Sequence, residues 1–330
     1  MERSTLTASA DERSCGGAAS RPDAAPPYEI QLVAVDSGRK HEKTAPEIAR
    51  GAEASPDRFK VTVTTHPTCN AELTYFLPES AWRDDLEGTI RVTYLAHKED
   101  HSVAAGLFEE VARKSDCCVT SSSKYAEVLR SDGARSVVTI PLGVDTAVFV
   151  PKVRIAVVGR TYHTGRKGES LLAASMDLPF VEFVFTGEGW PIPAQYYSER
   201  DLVELYQRID YLLVPSLIEG GPVPMLEALS SGRPVIAPTD IGMVKDFPHI
   251  PFRRGDAEDL RRVIQAEVDR RLALRAAALP CDWQHFAQRH LELFSQLIDR
   301  SRALAAQSFA SAAHRVGQTT CRALLLTHGT

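Results

Sequence analysis

The chain has 330 residues, 44% of them hydrophobic and 25% charged, with a formal net charge of −5. A chain of this length suits about two domains, each able to bury a core. The acids outnumber scattered bases, which argues against a nucleic-acid partner. No apolar run approaches about 18 residues, so no spanning helix is expected, and the first residues lack the apolar stretch of a secretory signal. Six cysteines without a Cys-x-x-Cys pair point to reduced thiols and a cytoplasmic setting rather than a disulfide frame or zinc site. The adjacent Cys117 and Cys118 suit a strand as small apolar side chains.

Residues 1–27 are rich in Ser, Ala, Asp, Arg and Pro without a period and are expected to be a disordered tail. Strands are expected over 30–35, over the alternating 59–65, and over 90–96, the last running to His97. Helical spacing follows over 103–112. Short buried strands, Cys117–Thr120 and 137–140, flank a helix over 124–130 that Asp132-Gly133 ends. Pro141-Leu142-Gly143-Val144-Asp145 closes this half.

A second cycle opens with a strand over 153–158 and Gly159. A helix over Glu169–Ser175 and a strand over Val181–Phe185 follow, the latter ending in Thr186-Gly187-Glu188-Gly189. Then come a helix over 201–208, a strand over 211–214, a Gly/Pro loop with a helix to Ser231, and a strand over 234–237. Residues 282–298 form an amphipathic helix offering Trp283, Phe286, Leu291, Phe294 and Leu297 to a core. The tail 301–330 is read as partly disordered. Strands alternating with helices imply parallel sheets with right-handed crossovers. The expected architecture is thus α/β, with two doubly wound domains (28–150 and 151–280) and a closing helix over 281–300. The ligand belongs at the carboxyl ends of the strands.

The stretch from Asp210 to Gly242 carries the clearest chemistry. An apolar strand enters the loop Glu219-Gly220-Gly221-Pro222, followed by a short helix with Glu227 and a second apolar strand. Pro222 and Pro224 preset φ at a helix start, and Gly220 and Gly221 let a ligand approach the backbone. The free amides and dipole of the helix start favour a diphosphate. Glu227 can accept hydrogen bonds from a ribose diol, and Glu219 from hydroxyls of a second sugar. In isolation, the same two acids also fit a βαβ loop with one solvated and one capping glutamate.

A second segment, Gly159-Arg160-Thr161-Tyr162-His163-Thr164-Gly165-Arg166-Lys167-Gly168, puts three cations in a loop between a strand and a helix. Arg160 and Lys167 could clamp a pyrophosphate, while Arg166 suits a solvated position. The Gly-Lys-Ser/Thr ending of a P-loop and the GxGxxG fingerprint of dinucleotide folds are both missing.

Together these pieces resemble the retaining glycosyltransferases of family 4, the group 1 transferases. The likeness covers roughly residues 116–298. It runs through Thr120-Ser-Ser-Ser-Lys124, Ile140-Pro-Leu-Gly-Val-Asp145, Gly159-Arg160 with Lys167-Gly168, the Glu219 and Glu227 motif, and Asp282-Trp283. The resemblance implies the GT-B architecture, two facing Rossmann-like domains with a cleft between them, the first abbreviated here. It implies that Arg160 and Lys167 bind the diphosphate of a nucleoside-diphosphate sugar and that Glu227 binds its ribose. Glu219 with Gly220 and Gly221 would take the donor sugar, and Gly159, Gly187, Glu188 and Pro222 would line the nucleotide. A histidine after a strand of the first domain is also implied near the donor sugar. His97 matches best by position, with His66 and His101 as rivals.

Two departures stand out. Val35-Asp36-Ser37-Gly38-Arg39 offers one glycine where the family has a Gly-rich loop, and Gly221 stands where a bulky residue is common. The implied reaction moves a sugar to an acceptor hydroxyl with retention, the departing phosphate taking the acceptor's proton. Without an Asp-x-Asp pair, cationic side chains take the role of a metal, so neither metal nor further cofactor is expected. The acceptor (a glycan, lipid carrier or natural-product aglycone) is left open, and peripheral membrane contact through the first domain is compatible with it. The rival reading is a non-catalytic nucleotide-sugar-binding protein. A GT-B epimerase or phosphorylase and an NAD-dependent dehydrogenase fit the motifs less well.

Overall fold

The computed structural model describes residues 25–34, 41–99, 103–190 and 193–326. It divides into two units, one of residues 1–140 with 287–330, the other of residues 141–286. Each is built on a parallel sheet, as the alternation of strands and helices predicts.

The first unit carries six strands in the order β2-β1-β3-β4-β5-β6. These are β1 (Tyr28–Ala34), β2 (Phe59–Thr64), β3 (Leu73–Leu77), β4 (Ile90–Tyr94), β5 (Cys117–Thr120) and β6 (Val137–Thr139). Its helices are α1 (His41–Glu53), α2 (Val103–Lys114), α3 (Ser123–Ser131) and α7 (Trp283–Leu326), the last from Ala287 onward. Because successive strand residues face opposite ways, both faces of the sheet are covered. On β3, Tyr75 meets Phe294 of α7 with ring centroids 5.1 Å apart, whereas Phe76 packs with Val33, Ala81 and Trp82. Leu95, Cys118 and residues of α2 and α3 form a further cluster. Gly51 lets α1 lie on α7, since a Cβ there would stand 2.5 Å from that of Ala287. Arg302 anchors the same helix by pairing with Glu72 at 2.7 Å.

The second unit has five strands in the order β11-β10-β9-β7-β8. They are β7 (Val153–Val157), β8 (Val181–Phe185), β9 (Tyr211–Leu213), β10 (Val235–Pro238) and β11 (Ile250–Phe252). Its helices are α4 (Glu199–Arg208), α5 (Val223–Ser230) and α6 (Ala257–Ala276), with a 3-10 helix over Glu169–Ser175. Ile155, Val157, Leu213 and Ile236 pack with Leu171, Leu172 and the Leu260, Val263, Ile264 and Val268 stripe of α6. The alternate residues Ala156, Leu212, Val235 and Ala237 pack with Leu205 and Tyr206 of α4 and with Met225 and Ala228 of α5. The chain leaves β7 toward β8 on one side and returns to β9 on the other, so the strand order reverses between β7 and β9. At such a point the two strand-end loops diverge and leave a crevice.

Several elements differ from the sequence reading. α1, β3, β11 and α6 were not anticipated. β3 is five buried residues without alternation, which periodicity does not separate from a helix fragment. With β3 added to the five strands read from the sequence, the first unit has six strands. Residues 301–326 continue α7 as helix instead of a partly disordered tail, and residues from 287 onward group with the first unit rather than forming a separate closing element. The tail over 1–24, the loop over 35–40 and His101 lie outside the described residues. Among the described residues no helix is long and apolar enough to cross a membrane.

Candidate functional site

The loops that follow β7 and β9 meet at the strand reversal. Lys167, from the first loop, forms an ion pair with Glu219, from the second. Only 20% and 12% of these side chains is exposed, and the buried Ser216 hydroxyl lies 3.4 Å from the same Glu219 oxygen. The two loops are also tied through their backbones. Leu217 N–H donates to the Arg166 carbonyl at 2.8 Å, and Gly168, at φ +75°, lies so close to the Pro215 carbonyl that a Cβ would collide with it. Glycine is needed there for both reasons.

Beyond Glu219, Gly220 has nothing within 4 Å of its would-be Cβ, so this side of the loop is open. Among the described residues the N–H groups of Gly220 and Gly221 have no protein acceptor. The opposite side of the loop is fixed by Met243 N–H, which donates to the Gly220 carbonyl at 3.1 Å, and by Gly242 packed on the carbonyls of Glu219 and Gly220. Pro222 then caps α5 with φ −72° and Pro224 follows in its first turn. Neither offers an N–H, which narrows the donors at this helix end to the glycine loop and Val223.

Glu227 lies one turn into α5, and its Oε2 accepts from the Tyr206 hydroxyl of α4 at 2.6 Å. Tyr206 is 3% exposed. Burial, and then the adjacent carboxylate, push its phenol far above its ordinary value, so it acts as a donor throughout the physiological range.

The carboxyl ends of β7 and β8 also come together. Gly159 N–H donates to the Thr186 hydroxyl at 3.0 Å, and Trp190 Nε1–H donates to the Gly159 carbonyl at 2.8 Å. Gly187, at φ +81°, backs onto Gly159 and Arg160; a Cβ would stand 2.7 Å from the Gly159 carbonyl carbon. Glu188 is exposed, and its carbonyl accepts from Thr161 N–H at 2.9 Å. Arg160 does not join Lys167. Its guanidinium lies 5.3 Å from the Tyr162 ring centre, with that of Arg166 at 4.0 Å on the same ring. Hydrogen bonds from Arg160 and then Arg166 hold the Tyr162 phenol below its usual value. Arg166, read as solvated, is therefore part of an Arg-Tyr-Arg stack.

The structure thus brings Lys167 to Glu219, Gly159 to Gly187, and Gly220 to the 241–243 turn, while Arg160 stacks apart and Glu227 faces Tyr206. His97 belongs to the first unit, exposed three residues beyond β4; His66 is likewise exposed there. Sequence reasoning missed Tyr162, Thr186, Trp190, Tyr206 and Ser216. Of these, Tyr206 and Trp190 carried a signal as apolar bodies with a polar tip near strand and helix ends. It also missed His290, which is buried in the first unit with its Nε2 3.1 Å from the Tyr75 hydroxyl. Among the described residues no group of three His, Cys, Asp or Glu side chains is placed to hold a metal ion.

A family model described as glycosyl transferases group 1 matches residues 150–266. No curated protein matches the chain. Among solved structures the chain is similar to sucrose-phosphate synthase from Thermosynechococcus elongatus, at 14% identity over 87% of this chain and 100% of that one, with a TM-score of 0.31. It is similar to the lipopolysaccharide outer core galactosyltransferase WaaB in its apo form, at 14% identity over 81% and 99%, with a TM-score of 0.33. It is also similar to HepE from Anabaena in complex with UDP-glucose, at 13% identity over 83% and 99%, with a TM-score of 0.31. TM-scores this low leave the functional reading to the residues themselves. Residues 150–266, which make up most of the second unit, are similar to the glycosyl transferases of group 1.

Proposed function

We propose that the chain is a glycosyltransferase that moves a sugar from a nucleoside-diphosphate sugar to an acceptor hydroxyl with retention of anomeric configuration. The observation that carries this reading is the Lys167–Glu219 pair beside the open Gly220-Gly221 backbone, where strand order reverses between β7 and β9. A cation, a carboxylate and unpaired amides at one crevice match a diphosphate joined to a polyol. The match of residues 150–266 to group 1 transferases supports the same reading.

In this mechanism Lys167 turns from Glu219 to the diphosphate, and Arg160 adds charge from the same loop. Glu219, released from Lys167, accepts from hydroxyls of the donor sugar; Glu227 accepts from the ribose. Gly187 and Glu188 lie toward the base. The anomeric carbon–phosphate oxygen bond breaks with its electron pair leaving on the diphosphate, while the acceptor oxygen bonds the same face of that carbon. The acceptor's proton passes to the departing phosphate oxygen. Catalysis rests on neutralising that leaving charge and on orientation. His97 is the proposed histidine of the first unit, and the acceptor is a glycan, a lipid carrier or a natural-product aglycone.

The test is thermal shift with UDP, GDP, ADP and TDP sugars, followed by transfer assays with the donor that binds. One donor should raise the melting temperature of wild type and leave Lys167→Met unmoved. No shift with any donor overturns the reading. Tight donor binding without hydrolysis or transfer to any acceptor assigns the chain to non-catalytic nucleotide-sugar binding.

A further inference from the structure

The hydrogen bond between Tyr206 and Glu227 closes a circuit between α4 and α5. Arg233, just past the end of α5, donates from Nε to the Tyr206 carbonyl at 2.8 Å and from a terminal nitrogen to the Gln207 carbonyl at 2.6 Å. Its own N–H bonds the Ala228 carbonyl at 2.8 Å, while Gly232, at φ +70°, makes the turn. The exit of α5 is thereby clamped to the last turn of α4. The Tyr206 side chain returns from α4 to Glu227 at 2.6 Å. Tyr206 is buried in one core cluster with Leu205, Met225, Ala228 and Val235, which limits the movement of its hydroxyl. Among the described residues Glu227 Oε1 has no partner.

A carboxylate on a flexible glutamate side chain loses rotamer freedom when it binds a ligand. One held at Oε2 by a buried phenol has lost much of that freedom beforehand, so its contact with the ligand is correspondingly selective. A site whose polar group is poised for one hydroxyl discriminates sharply against the analogue lacking it, because the group is then left unpaired.

We propose that Tyr206 is a positioning residue that binds Glu227 Oε2, leaves Oε1 for a ribose hydroxyl, and thereby selects ribonucleotide over deoxyribonucleotide donors. This rests on the proposed function, and it narrows the substrate class to sugar esters of ribonucleoside diphosphates. Tyr206 itself touches no substrate; it acts through the carboxylate.

The experiment measures the affinity of the full chain for UDP, GDP and ADP, and for the 2′-deoxy and 3′-deoxy forms of whichever binds. Wild type should prefer the ribonucleotide over at least one deoxy form by roughly 10- to 100-fold, the effect of one hydrogen bond to a charged group. Tyr206→Phe should weaken the ribonucleotide and leave that deoxy form within about 2-fold, bringing the ratio below roughly 3-fold. Glu227→Asp keeps the charge but withdraws it from the phenol by one methylene; it leaves Tyr206 in its apolar pocket and should show the same collapse of the ratio. Equal weakening of both nucleotide forms in Tyr206→Phe, or an unchanged ratio in either variant, overturns the positioning role while the donor reading stands. If wild type binds TDP but none of the ribonucleoside diphosphates, this inference fails while the donor reading stands; if it binds no nucleoside diphosphate at all, both fail.

Discussion

The Lys167–Glu219 pair is the feature on which the proposed donor site rests, and its energetics can be worked from its burial. At an effective dielectric near 20, opposite unit charges 4 Å apart attract by about 4 kcal/mol before desolvation is counted. With 20% and 12% of the side chains exposed, desolvation offsets much of that gain. Removing one partner, however, leaves the other charge mostly buried. Lys167→Met should therefore destabilise the second unit by about 2 kcal/mol, and Glu219→Gln by about 1–2 kcal/mol. In the double variant both charges are gone, so it should cost at least about 1 kcal/mol less than the sum of the single changes. Urea unfolding reports this if Trp82 is replaced by Phe, because the remaining Trp190 and Trp283 both belong to the second unit. A coupling below about 0.3 kcal/mol would refute the reasoning, since neighbouring charges sharing one crevice do not behave additively. In transfer assays Glu219→Gln should lower kcat/KM by about 100-fold, as loss of a group that orients the reacting sugar does.

Gly187→Ala places a left-handed alanine against the Gly159 and Arg160 backbone; about 2–3 kcal/mol of destabilisation and weaker nucleotide binding are expected, read by urea unfolding and thermal shift. Gly51→Val pushes α1 off Ala287 and should cost the first unit about 1–3 kcal/mol in urea unfolding of a chain that keeps Trp82 of the first unit and has Trp190 and Trp283 replaced by Phe, with nucleotide affinity of the second unit unchanged. Arg302→Met gives a pH-dependent effect. Burial would raise the Glu72 carboxyl, but the Arg302 hydrogen bond and the Glu29 N–H outweigh it and hold it below the usual 4.5. A depressed carboxylate contributes stability above its unfolded value and loses it as pH falls through the folded one. The variant should thus be less stable than wild type by about 1 kcal/mol at pH 7, with the gap closing as pH falls below the ordinary carboxylate value and through the lowered one of Glu72. A gap that persists at low pH counts against the ion pair as its cause.

Much of the second unit was legible because its signals are local. The Val181–Phe185 strand, Gly159 at the end of β7 and the Gly/Pro entry to α5 rest on backbone chemistry that a few residues decide. α6 was legible in principle: Asp256 caps it by accepting from Asp259 N–H at 2.9 Å, and Leu260, Val263, Ile264 and Val268 repeat at helical spacing. Its many exposed charges obscured that stripe. β3 carried no alternation because the sheet buries it on both faces, so its period was silent.

Residue types, their order along the chain and the turns that break it were set by sequence alone, since propensity and φ preference act over a few neighbours. Thus the α/β class, the glycine loops and the two glutamates followed from reading along the chain. Which side chains meet was decided only by tertiary structure. Lys167 reaches Glu219 across 52 positions, and Tyr206 reaches Glu227 across 21. Arg302 reaches Glu72 across 230 positions. Such pairs depend on strand order and on which helix covers which face, and no local period encodes either.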